Sequence, residues 1–222
     1  MLAPDNNTAY KIKVYDICLF TRRIVPNSAL LLSLIESRRT REINYCIKRV
    51  RMSSHLLTPG ATSYTWDITS SSALLPSYLL LAFVSNENAA YNANPFHLLH
   101  LGINSIYLVS NNQTIPRVAY TPDFTDNLVS REYLDLLNVC DKDFTYKGNS
   151  LTRAMFCSGT TLFAFKLLGY KSDAYSLARA GSIRAHINLS AALGNAVNTI
   201  AYMAFDEFIQ LDQFNNVQLN AV

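Results

Sequence analysis

Apolar residues in this chain alternate with polar ones over short runs, and Pro, Gly and Asn close the runs. A period of two marks half-buried strands. The clearest case is residues 183–189, where Ile183, Ala185, Ile187 and Leu189 interleave with Arg184, His186 and Asn188. Residues 197–211 carry Val197, Ala201, Met203 and Phe205 on one face, and Gly194-Asn195 reads as the turn between the two runs. The pattern predicts that 183–189 pairs antiparallel with 197–205, with Ile187 and Met203 facing the core. A continuous apolar run at residues 78–84 is too short to span a bilayer and reads as a strand buried on both faces. Residues 104–109 form a further strand, and Asn111-Asn112 suits the positive φ of a tight hairpin returning through Gln113, Thr114 and Ile115. Pro116 and Pro122 punctuate its exit.

Weaker runs fill in the rest. Residues 11–24 read as the first strand, with Val14, Cys18 and Phe20 on one face and Ile17 and Leu19 opposite. Ile43, Tyr45 and Ile47 keep a period of two that resumes at Val50 and Met52 after a shift, the signature of a bulge. Residues 63–68 with Trp66, and 160–167 after Gly159, complete about eight strands. Two helices interrupt them. Asn27 caps the first, whose Leu30, Leu31, Leu34 and Ile35 form a core-facing stripe. Ser130 caps the second, at residues 131–139, with Tyr133, Leu134 and Leu137 on one side. Residues 169–181 read as a loop with helical character at 174–180. About eight antiparallel strands with short helices in the loops predict an all-β jelly-roll β-sandwich. Residues 10–216 form its single domain, after a disordered lead-in or linker at 1–9 and before a tail at 217–222.

Composition agrees and narrows the function. Apolar residues make up 50% of the 222, enough for a substantial core, and 13 Tyr with 11 Phe favour strands. Charged residues are only 16%, sparse against the usual quarter, which points to an exterior covered by neighbours. A net charge of +3 is too mild for a nucleic-acid footprint over the whole chain. Cys18, Cys46, Cys140 and Cys157 show no CxxC pairing and no signal peptide precedes them, so they read as reduced core thiols of an intracellular, non-secreted protein. The N-x-S/T triplets at Asn6, Asn112 and Asn188 then read as chance matches.

Several motifs follow one another in a fixed order: LPSYLLLAFVSNENAAYNANPF at 75–96, Gln113-x-Ile115-Pro116, Thr121-Pro122-Asp123-Phe124, and Val129-Ser130-Arg131-Glu132-Tyr133. Gly159-Thr160-Thr161-Leu162-Phe163-Ala164-Phe165, Gly181-Ser182-Ile183-Arg184 and the run from Val197 to Asp206 complete the series. Across residues 14–216 this order resembles the major capsid protein of Maverick/Polinton elements, virus-like DNA transposons whose capsid subunit is a double jelly roll. The resemblance is to its C-terminal jelly roll alone. It implies a structural shell protein, found in the virion, nucleus or cytoplasm, whose partners are other capsid subunits in a trimeric capsomer and a missing N-terminal jelly roll. Contacts are then expected from loops at 85–95 and 141–158, where Tyr91, Phe96, Phe144, Tyr146 and Phe156 stand among polar residues. The basic cluster Arg38, Arg39, Arg41, Lys48, Arg49 and Arg51 has two readings: a solvated helix end and strand, or an inner capsid surface facing nucleic acid.

Other chemistry finds little support. His97 and His100 are three apart with no Glu nearby, unlike the strand-borne pair a cupin metal site needs, and read as loop or packing residues. No cysteine has the turn-borne setting of a Cys–His nucleophile, and Ser158-Gly159 lacks the flanking glycine of a nucleophile elbow. Asp206, Glu207 and Asp212 fit solvated alternation. The first helix has Ser and Glu as well as Arg on its polar face, which argues against a membrane-surface role. No cofactor, no metal, no membrane partner and no catalytic role is expected. The alternative is a host-retained single jelly-roll binding or interaction module of lectin or cytokine type.

Overall fold

The computed structural model of the chain describes residues 13–40, 43–70, 73–85, 94, 96–146, 150–167, 179–211 and 216–221. In order, its elements are α1 (Ser28–Thr40), β1 (Ile43–Leu57), β2 (Ser63–Thr69), β3 (Tyr78–Ser85), β4 (Ile103–Ser110) and β5 (Gln113–Tyr120). Then come α2 (Ser130–Val139), α3 (Arg153–Cys157), β6 (Phe163–Lys166), β7 (Ile183–Leu189), β8 (Val197–Leu211) and β9 (Val217–Ala221). The chain divides into two compact units. One holds Met1–Ile47, Ala89–Ala93 and Glu207–Ala221; the other holds Lys48–Asn88, Asn94–Asp206 and Val222.

The second unit is a sandwich of two antiparallel sheets, ordered β1-β8-β3-β6 and β2-β7-β4-β5. Among β1 to β8 only β4 and β5 are consecutive strands paired in one sheet; every other connection that joins neighbours in sequence leaves a strand's own partner behind. That interleaving of two four-stranded sheets is the jelly roll. Strand pairing therefore differs from the expected hairpin of 183–189 with 197–205. β7 lies between β2 and β4, whereas β8 pairs β3 in the opposite sheet. Alternation fixes which side chains face inward, but it is silent about which edge supplies the hydrogen bonds. The inward faces are as expected: Ile187 and Met203 are both buried in the common core.

β3 shows why its run is apolar throughout. Leu79, Leu81 and Phe83 enter the main core with Phe163 and Phe165 of β6. Leu80 and Ala164, paired across β3 and β6, face a second cluster built by Val129, Leu136 and Phe156. Both faces are covered, so neither can be polar. The β4–β5 turn has Asn111 and Asn112 at φ 48° and 64°, as the Asn-Asn pair predicts. Pro116 does not end the strand, however. β5 continues to Tyr120, because it is an edge strand and its register to β4 shifts between Ile106 and Leu108. A residue without an N–H is tolerated at such an edge and bulge.

In the first unit, Asn27 caps α1 as expected, with Oδ1 accepting from the N–H of Ala29 at 2.7 Å. The stripe expected to face a core does not: Leu30, Leu31, Leu34 and Ile35 are all exposed. Residues 13–27 form no strand, although 11–24 carry the pattern of one. Residues 217–221, expected as a tail, pair as β9 with Glu207–Leu211 of β8. The residues expected as a loop at 141–158 include α3, capped by Thr152, whose Oγ1 accepts from Met155 N at 3.2 Å. Ser130 is the first residue of α2 and not its cap, a position held by Val129. The residues α2 buries are Glu132 and Leu136, while Leu134 is exposed. The lead-in at 1–9 and the helical tendency at 174–178 lie outside the described residues. Cys18, Cys46 and Cys140 are free but exposed, not core thiols.

Candidate functional site

The expected contact residues separate on burial. Phe96 is 79% exposed and Phe144 94%, and Tyr146 stands fully in solvent. Three aromatic rings in water lose their transfer free energy, and only a partner surface would recover it. Phe156 behaves oppositely. It is fully buried on α3, edge-on to Phe163 and Tyr133 with centroids 6.3 and 6.1 Å away. It is a core residue of the second cluster and not a contact residue. Its polar neighbours in sequence mislead because a one-turn helix turns a single side chain inward. Tyr91 lies outside the described residues.

The basic cluster is divided between the two units. Arg39 of α1 forms an exposed ion pair with Glu36 at 3.7 Å. Lys48, Arg49 and Arg51 are exposed on β1, and Arg51 lies 5.2 Å over the ring of Phe205. The side chain of Arg38 and all of Arg41 lie outside the described residues.

The motif residues converge on packing tasks. Arg131 of α2 donates from Nη1 to the carbonyl of Ala119 at 3.1 Å and from Nη2 to that of Val118 at 2.7 Å. Its guanidinium carbon sits 5.0 Å from the Tyr120 ring centroid. Arg131 thus ties the end of β5 to α2. The Tyr120 hydroxyl lies 2.7 Å from Asp135 Oδ2 and 2.9 Å from the Ala164 carbonyl, one proton serving two acceptors. Burial, then the neighbouring Asp135, pushes this phenol well above its ordinary range. Tyr133 Oη donates to the Leu151 carbonyl at 2.6 Å. Asp123 Oδ1 accepts from the N–H groups of Thr125 and Asp126, closing the turn after Pro122. Gly159 has φ +128° and Gly181 meets the Asn111 amide, so these motif glycines make room for neighbours. Asp206 is exposed, as expected, and its Oδ2 accepts from Ser77 Oγ at 2.5 Å, but Glu207 is buried, so solvated alternation does not describe Glu207; Asp212 lies outside the described residues. Sequence reasoning missed the Tyr120–Asp135 pair, because nothing local links a strand end to a helix 15 residues on.

Glu132 gives a pH-dependent expectation. Its side chain is buried, and burial raises its pKa against the pull of backbone N–H donors and Arg131. A carboxyl that holds its proton more tightly when folded stabilises the fold at low pH, and that contribution is lost as pH rises through the raised pKa. Urea unfolding of Glu132→Gln should therefore give a shallower fall in stability from mildly acidic to neutral pH than the native chain. Parallel profiles would show that the carboxyl is not perturbed.

The histidines pack. His100 stacks on Phe124 with centroids 4.5 Å apart, and its Nδ1 accepts from Gly102 N at 3.1 Å. Burial, then His97, lowers its pKa. Among the described residues no three His, Cys, Asp or Glu side chains converge as a metal-binding group. No helix is long and apolar enough to cross a membrane among those residues. Among the described residues, one hollow of about 460 Å³ is lined by His100, Asn104, Asp123, Phe124 and Ser190, and another of about 230 Å³ lies between Pro116, Tyr120, Asp135 and Lys166.

Fold and motif residues together define a jelly-roll domain whose ordered motifs hold strand ends to helices. No family model matches the chain. An uncharacterized protein of Caenorhabditis elegans, F54H12.2, is 24% identical over 155 residues, covering 67% of this chain and 37% of that protein's length. Among solved structures, the Sputnik virophage determined by cryo-EM is similar with a TM-score of 0.48 and 15% identity, over 81% of this chain and 39% of that one. The mavirus major capsid protein is similar with a TM-score of 0.44 and 11% identity, over 81% and 41%. The PBCV-1 virus capsid model is similar with a TM-score of 0.41 and 11% identity, over 82% and 54%.

Proposed function

We propose that this chain is a structural capsid protein: one jelly-roll half of a double jelly-roll shell subunit of the Maverick/Polinton kind. The observation that carries the reading is the interleaved strand order, in which the motifs quoted above hold the junctions. Arg131 and Tyr133 tie α2 to its surroundings, Gly159 and Gly181 admit a neighbour's side chain, and Asp123 closes a turn. A series of residues that specifies a sandwich, with no catalytic constellation among them, suits a protein whose work is its shape. A shell subunit acts through loops and edges, and Phe96, Phe144 and Tyr146 supply exposed anchors there. Aromatic anchors of this kind are each worth about 1–2 kcal/mol or more once buried against a partner. On this reading the chain resides in the virion or in the compartment that builds it.

Light scattering tests the proposal. The chain alone is expected to be a monomer or a weak oligomer, and mixing with the upstream half of the same reading frame should give a trimer of paired halves. A monodisperse trimer of this chain alone would show the second half to be dispensable. An upstream frame that encodes no jelly roll would end the double jelly-roll reading.

A further inference from the structure

Residues 14–20 have the pattern of a strand but no sheet. Val14, Tyr15, Ile17, Leu19 and Phe20 are between 62% and 94% exposed, and residues 13–27 form no strand pairing. Extended backbone with β-branched and aromatic side chains has high strand propensity, and its N–H and C=O groups are open to a ladder. The chain also carries a receiving edge. β1 ends its sheet, paired to β8 on one side and to no described strand on the other. The other sheet ends suit a guest less well. β6 spans only four residues, β5 carries Pro116 and a register shift, and β2 presents Ser63, Thr65 and Asp67 outward.

The faces of the two segments correspond. On β1, His55 stacks on Trp66 and Leu57 is buried, so the odd positions lie on the sandwich side of the sheet, although Arg49 and Arg51 there stay exposed. The even positions Val50, Met52 and Leu56 are apolar and exposed. In the arm, Tyr15, Ile17 and Leu19 share one face, and Val14, Asp16, Cys18 and Phe20 share the other. Setting Tyr15 and Ile17 beside Val50 and Met52, with Leu19 beside Ser54, puts Asp16 beside Arg51, so apolar contact and charge agree in one parallel alignment.

We propose that residues 14–20 of one copy add as a strand to the β1 edge, residues 48–57, of a second copy of this chain. The contact is self-association by strand addition, and main-chain hydrogen bonds supply most of its affinity. The inference stands independently of the shell reading, and it names a contact that such a shell could use.

Amide hydrogen exchange and sedimentation equilibrium on the intact chain, over a range of concentrations, test it. Amides of 14–20 and of 48–57 are expected to slow together as mass rises. Ile17→Pro should weaken association by about tenfold or more through one lost ladder bond and its packing, leaving the unfolding transition of the dilute monomer unchanged. Met52→Lys should weaken association from the receiving side, which guards against one variant acting by an unrelated route. Association without protection of 14–20 overturns the proposal. So does protection of 14–20 in a monomer, which would mean that the arm folds on its own copy, or protection only after the upstream half is added. Those readouts use this chain alone, so their failure is separate from a failure to form trimers with the upstream half.

Discussion

Phe156→Ala should lower stability by about 3–5 kcal/mol, roughly 6–20 °C in Tm for a chain of this length. The ring is fully buried on α3 and meets Phe163 and Tyr133 edge-on, inside the cluster that also holds Val129, Leu136 and Ala164. Removing it leaves a void under two helices and the outer face of β3 and β6, which backbone anchored by strand pairing cannot close. Phe144→Ala, in the same stretch of sequence but 94% exposed, should change stability by less than about 0.5 kcal/mol. Chemical denaturation of both variants separates core from contact residue. Equal losses would mean that Phe144 is packed, and no loss at Phe156 would remove the second core.

Gly159→Ala should be the most damaging added methyl among the described glycines. Gly159 sits at φ +128°, where a side chain is strained, and an added Cβ would clash with the His97 ring. Backbone strain alone costs about 1–3 kcal/mol. The ring must also move, and the backbone beside it is tied down: Leu98 N donates to the Gly159 carbonyl at 2.8 Å. The double variant His97→Ala with Gly159→Ala should recover the clash but not the strain. Thermal unfolding of the three variants measures both parts. Gly60→Ala is the control, having a comparable φ of +96° with open space around it. If Gly159→Ala and Gly60→Ala cost the same, His97 is not the obstacle.

Much of the sandwich was legible in the chain. The alternation at 183–189 named the four side chains that β7 buries, and the apolar run at 78–84 foretold a strand covered on both faces. The Asn111-Asn112 turn and the Asn27 cap were also local matters, decided by one or two residues and their own backbone. Periodicity and cap chemistry report which way a side chain must point, because that depends on the residue and its immediate neighbours.

Partners are another matter. The sequence set 183–189 beside 197–205 because they are adjacent, whereas the fold sends them to opposite sheets and pairs β7 with β2, 114 to 125 positions away in the chain, from Thr69 with Ile183 to Ser63 with Asn188. It made Phe156 a loop contact, and one turn of helix buried it. It gave 14–20 a strand's pattern, and among the described residues that segment has no ladder. In each case the deciding quantity is a distant edge or cavity, and hydrogen bonds between strands carry no local signature. Local pattern determined the faces of this protein; the tertiary structure alone decided what those faces meet.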